Sequence, residues 1–164
     1  MSNLMYALLT GIGATAVMDL WSLVRRQLFR LPLANYGLVG RWIAHMPRGL
    51  AHHDSIAAVA PVRGERALGW TAHYLIGIAF AGLLPAVWGV AWFTDPTLVP
   101  ALIVGVVTVL APFLVMQPAM GLGVAASRTP RPGAARLQSL ITHTIFGLGL
   151  YAAALVIAQF FSGV

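Results

Sequence analysis

The chain has 164 residues, 59% hydrophobic and 9% charged, with a mean hydropathy of +0.84. A soluble domain carries roughly 45–50% apolar and about 25% charged residues, so a water-soluble globule is excluded. The ten basic residues are all arginine and outweigh four acids, for a formal charge of +6. They cluster between apolar runs rather than on a polar domain, which points to anionic lipid headgroups and not to nucleic acid. There is no cysteine, which removes disulfides, thiolate metal sites and cysteine nucleophiles.

A membrane span takes about 20 apolar residues, so this length admits roughly four spans and one sizeable connection. The first run covers Leu4 to Val24 and stops at Arg25-Arg26. It follows Met1-Ser2-Asn3, which lacks a basic segment and a small-residue cleavage site, so it is expected to stay as a span. The connection 30–66 follows. Within it Leu38, Val39, Trp42, Ile43 and Met46 share one helical face, with Asn35, Arg41, His45 and Arg48 toward the other. This predicts an amphipathic helix, lying in the membrane interface or folded over the bundle mouth. Arg25, Arg26, Arg41, Trp42 and Arg48 are the expected headgroup contacts. His52-His53-Asp54 reads as a polar turn, because no further metal ligand stands at a defined spacing.

The second run covers about 68–93 and ends at Thr94-Asp95-Pro96; the third covers 98–124 and ends near Ser127-Arg128; the fourth covers 137–161. In the third, Pro112 and Pro118 each remove a backbone donor and crowd a carbonyl four residues back, which predicts kinks that free carbonyls near Thr108 and Leu114. None of the runs alternates with period two, and each exceeds the length of a barrel strand. The fold class is an all-α integral membrane protein, one four-span domain over 1–164. Seven arginines lie in or beside the first connection and three between spans three and four. The positive-inside rule therefore places both connections in the cytoplasm and both termini outside an inner membrane.

Spans two and four share a pattern. Arg66, His73 and Gly77 recur at the same offsets as Arg136, His143 and Gly147. Spans one and three match through Val17-Met18-Asp19 and Val115-Met116-Gln117. This predicts two helical hairpins related by a pseudo-twofold axis along the membrane normal, with Gly77 and Gly147 at close helix contacts. It also predicts one polar layer built from Asp19, His73, Gln117 and His143. A carboxylate inside a span costs a few kcal/mol, so Asp19 must face inward and find a donor.

Gly11 through Trp21, Asn35-Tyr36 with Gly40-Arg41-Trp42, and Pro61 through Tyr74 resemble a bacterial inner-membrane family, domain of unknown function 2938. Leu110 through Pro118 and Ala125 through Pro130 resemble that family's second-half motifs. The resemblance covers nearly the whole chain. It implies a small multispanning membrane protein and brings no activity with it.

Three functional classes fit these residues. The first is a proton-linked transporter of a small solute or ion, acting as a homodimer because four helices give too little wall to enclose a path. There Asp19 binds the proton or a cation, His73 and His143 relay, and Gln117 orients. The second is a redox component in which His73 and His143 ligate haem, or join Asp19 with Met116 or Met120 on a transition metal. The third is a non-catalytic partner subunit whose polar layer is interhelical glue, each bond worth about 1 kcal/mol or less. No cofactor is required by the first or third. An enzyme is not expected, since no nucleophile elbow or phosphate loop is present.

Overall fold

The computed structural model describes residues 2–161, so the terminal Ser162-Gly163-Val164, expected outside the membrane, lie outside the described residues. Among the described residues the secondary structure is helical throughout, with no strand. Seven α-helices occur in chain order: α1 (Asn3–Phe29), α2 (Tyr36–His45), α3 (Glu65–Ala81), α4 (Leu83–Trp88), α5 (Leu98–Val107), α6 (Gln117–Ala119) and α7 (Pro132–Phe161). Four stretches are long and apolar enough to cross a membrane: Asn3–Phe29, Glu65–Trp88, Leu98–Ala119 and Pro132–Phe161. Many of their large apolar side chains, among them Leu20, Leu75, Val99 and Val115, are exposed. Lipid tails suit such a surface and water does not.

The helices do not end where the apolar runs end. α1 continues five residues beyond Val24, through Arg25 and Arg26, to a left-handed cap at Arg30. Arginine is a good helix former, so a change from apolar to basic residues moves the chain out of lipid without unwinding it. α7 likewise starts at Pro132, a residue whose missing N–H costs nothing in a first turn. The second run, expected as one span to Phe93, is broken: α3 stops at Ala81, Gly82 intervenes, and α4 ends at Gly89 with φ +85. Pro85 cannot donate to Ala81 and crowds its carbonyl, which places the break there.

The third run is also interrupted. α5 ends at Val107, and a π-helical turn spans Pro112–Met116 before α6. The Gln117 N–H bonds the Pro112 carbonyl, five residues back. The wider register absorbs the two prolines where a simple kink was expected.

The chain forms two compact units. The first takes 2–33, 74–108 and 141–161; the second takes 34–73 and 109–140. In the first, Tyr6, Leu84, Phe93, Val104, Phe146 and Leu150 anchor the apolar core. Its helices meet through small residues. A Cβ on Gly77 would strike the Thr15 hydroxyl of α1, and one on Gly105 would lie 2.6 Å from the Gly147 Cα. Gly149 packs against Ala14 in the same way. With no hydrophobic drive between helices in lipid, close backbone approach of this kind is what holds spans together. Gly77 and Gly147 thus both stand at close helix contacts.

In the second unit α2 packs on the first turns of α3. A Cβ on Gly40 would overlap the Glu65 carbonyl, and one on Gly69 the Tyr36 carbonyl. The face of α2 that is buried carries Gly37, Gly40, Arg41 and His45. Leu38, Val39 and Ile43 are only partly covered.

Candidate functional site

Asp19 stands on α1, six residues before Arg25, and accepts a 3.0 Å hydrogen bond at Oδ2 from the Tyr74 hydroxyl of α3. Both residues are partly buried. A phenol both donates and accepts, so the same contact serves a carboxylate and a carboxylic acid. The donor that a carboxylate in a span requires is therefore a tyrosine, one residue past the histidine that the sequence singled out.

His143, on α7 of the same unit, meets different partners. Its Nδ1 lies 3.2 Å from both the Thr108 hydroxyl oxygen and the Gly105 carbonyl, while Thr108 donates to that carbonyl at 2.8 Å. A carbonyl only accepts, so Nδ1 carries the proton and Nε2 is the basic nitrogen. This explains why Thr108 and Gly105 matter at the end of α5: they fix the ring and its tautomer.

The other two residues of the expected layer belong to the second unit. His73 stacks on Tyr36, centroids 4.0 Å apart, and meets Trp70 edge-on at 5.8 Å. Gln117 is 7% exposed, and among the described residues its Oε1 has no hydrogen-bond partner. It stands between the π-helical turn and Pro118, its N–H bonded to the Pro112 carbonyl.

Of the five expected headgroup residues, Arg26 and Arg48 are exposed. Arg25 is buried and reaches the Pro32 carbonyl through Nη2 at 3.4 Å. Trp42 donates its indole N–H to the Ala51 carbonyl at 2.8 Å. Arg41 turns inward. It grips Glu65 through two parallel hydrogen bonds, Nε to Oε2 at 2.8 Å and Nη2 to Oε1 at 2.9 Å. Its Nη1 donates to the carbonyls of Ile56, at 3.2 Å, and Val59, at 2.6 Å. The hydrogen bond to Glu65 raises the Arg41 pKa above its ordinary value, against the desolvation that lowers it. Arg41 was expected among the headgroup contacts of an interfacial helix; its fork here is occupied by a carboxylate and two loop carbonyls.

Sequence reasoning also missed a histidine pair. His45 Nδ1 and His53 Nε2 are 2.9 Å apart, so one ring donates and the other accepts. The segment His52-His53-Asp54, expected as a polar turn, is irregular with a bend at Asp54, and His53 closes back on α2 through this bond. No local spacing signals it, since the two lie eight residues apart across a loop. Among the described residues, no group of three or more His, Asp or Glu side chains converges as a metal-ligand set.

A family described as Protein of unknown function (DUF2938) matches residues 8–157, and the chain belongs to it. No curated protein and no solved structure matches.

Proposed function

Starting from membership of this uncharacterised family and from four helices apolar enough to span a membrane, we propose that the protein is a small proton-linked transporter of a solute or ion. It lies in the inner membrane with both termini outside, and Asp19 is its proton- or cation-binding group. The observation that carries this reading is the Asp19–Tyr74 hydrogen bond within the segments apolar enough to span. A carboxylate in a span costs a few kcal/mol, whereas Ser, Thr or Asn would join helices at less cost, so its presence calls for a use of its charge. Tyr74 stays bonded to it in either protonation state. His143, with Nε2 as its basic nitrogen, and His73 are the relay groups, and Gln117 orients the transported species.

A homodimer supplies the wall that four spans lack. The two hairpins form an internal repeat related by a pseudo-twofold axis along the membrane normal. The paired contacts of Gly77 with Thr15 and of Gly147 with Gly105 support it.

A partner-subunit reading takes the same Asp19–Tyr74 bond as glue. Purified protein reconstituted in liposomes with an interior pH dye separates the two: acidification coupled to solute or cation flux, absent from empty liposomes, is expected of the transporter only.

A further inference from the structure

A cleft lined by residues with no part in the Asp19 site lies wholly within the second unit. One wall is the turn that follows α6. Gly121 and Gly123 have φ of +89 and +75, and Ala125 and Ala126 are also left-handed, at 48 and 59. Left-handed alanines cost energy and persist only where surrounding contacts impose them. Those contacts are present: Ser127 N–H bonds the Val124 carbonyl, Arg128 N–H the Leu122 carbonyl, and Arg136 Nε the Ala125 carbonyl at 2.8 Å.

The other wall is the loop that carries His52. His53 N–H bonds the Ala119 carbonyl at 2.9 Å and Ile56 N–H the Met120 carbonyl at 3.1 Å. Gly121 has no room for a side chain, because a Cβ would strike the Asp54 carbonyl. The two walls are therefore locked together by backbone bonds.

Between them is a cleft of about 330 Å³, lined by His52, Pro118, Gly123, Val124, Ser127 and Arg128. That volume is at the lower end of the roughly 300–1,000 Å³ of small-molecule sites. Gly123 packs tightly on this wall, since a Cβ there would strike the Ser127 hydroxyl. Three of the lining residues, His52, Ser127 and Arg128, are polar, and none of the six is acidic. The charge of the unit has the matching sign. It holds seven of the ten arginines against two acids, and one of those acids, Glu65, is already paired with Arg41.

We propose that this cleft binds a phosphate group. The forked N–H donors of Arg128 match two phosphate oxygens, Ser127 donates to a third, and a His52 ring N–H closes the set. Lipid headgroups and soluble phosphorylated compounds share this chemistry, and the cleft stands among the arginines expected to lie at a membrane surface, where both are at hand.

The test uses the full-length protein and two probes. Inorganic phosphate is titrated calorimetrically into protein in neutral-detergent micelles. Thermal stability is measured in nanodiscs of phosphatidylcholine with and without phosphatidylglycerol. The variants are Arg128→Gln, Ser127→Ala, which leaves the charge unchanged, and Arg131→Gln, which removes an arginine that does not line the cleft. Phosphate affinity reduced roughly tenfold by Arg128→Gln and several-fold by Ser127→Ala, with Arg131→Gln within about twofold of wild type, supports the site with a soluble ligand. The same ranking in the phosphatidylglycerol stabilisation, without phosphate binding, supports it with a lipid headgroup. Equal losses in Arg128→Gln and Arg131→Gln, or probe effects that none of the cleft variants alters, overturn it. Should Arg128→Gln fail to fold, Ser127→Ala and the exposed His52→Ala decide the same question.

Discussion

Arg41 and Glu65, 24 residues apart, meet side-on through two hydrogen bonds, and the guanidinium also gathers the carbonyls of Ile56 and Val59. Glu65 Oε2 in turn accepts from Val62 N–H at 2.8 Å. One ion pair thus closes the whole 56–65 loop onto α2. Lysine can offer charge but not the fork, and alanine neither. In detergent, the melting temperature should fall in the order wild type, Arg41→Lys, Arg41→Ala, and Val62 should lose amide protection in Arg41→Ala. Equal melting temperatures for all three contradict this role.

Gly77 and Gly147 stand where helix backbones nearly touch. Adding a side chain must push those helices apart, at about 1–3 kcal/mol for overpacking. Gly147→Val and Gly77→Val should each lower the midpoint of unfolding in mixed micelles. Gly133→Val, at a glycine whose Cβ would meet nothing, should not. Similar losses at all three would remove the packing argument.

Topology can be read by labelling. Cysteines at Ser2 and Thr94 should react with an impermeant maleimide in intact cells, and one at Ser55 only after permeabilisation, if the arginine-rich connections face the cytoplasm. Labelling of Ser55 in intact cells inverts the orientation.

The four spans were legible because burial in lipid demands unbroken apolar length, a property of composition alone. The breaks were not all legible. Pro112 and Pro118 announce a disturbed third span, but whether the chain kinks or takes a π-helical turn depends on the register of Gln117 N–H with the Pro112 carbonyl. Pro85, together with Gly82 and Gly89, carried the signal for the division of the second run into α3 and α4.

On α2 the helix was legible and its buried face was not. The apolar and polar faces were legible from helical spacing, but not that Gly37, Gly40, Arg41 and His45 form the buried one. Beside a bilayer apolar residues have an outer environment of their own, and Gly40 faces inward because α3 comes too close for anything larger. Tyr74 was hidden for a related reason: an aromatic residue in an apolar run carries no mark of the hydroxyl it presents to Asp19.

That hydroxyl gives a graded test. Tyr74→Phe keeps the ring and removes the bond to Asp19 Oδ2. Interhelical hydrogen bonds in membranes average about 0.6 kcal/mol and reach about 1.7, so the variant should fold with a small loss of stability. Under the transport reading its proton-coupled uptake should also fall, because Tyr74 no longer holds the Asp19 carboxyl in place. A stability change with unaltered uptake favours glue.

In the transport reading Asp19 works through its charge. Asp19→Asn retains size and an acceptor for Tyr74 but cannot take up a proton. In liposomes carrying an interior pH dye, this variant should insert and elute as wild type does, yet lose pH-dependent uptake altogether. Full pH-dependent uptake by Asp19→Asn contradicts the account and leaves the Asp19–Tyr74 bond as a structural joint between α1 and α3.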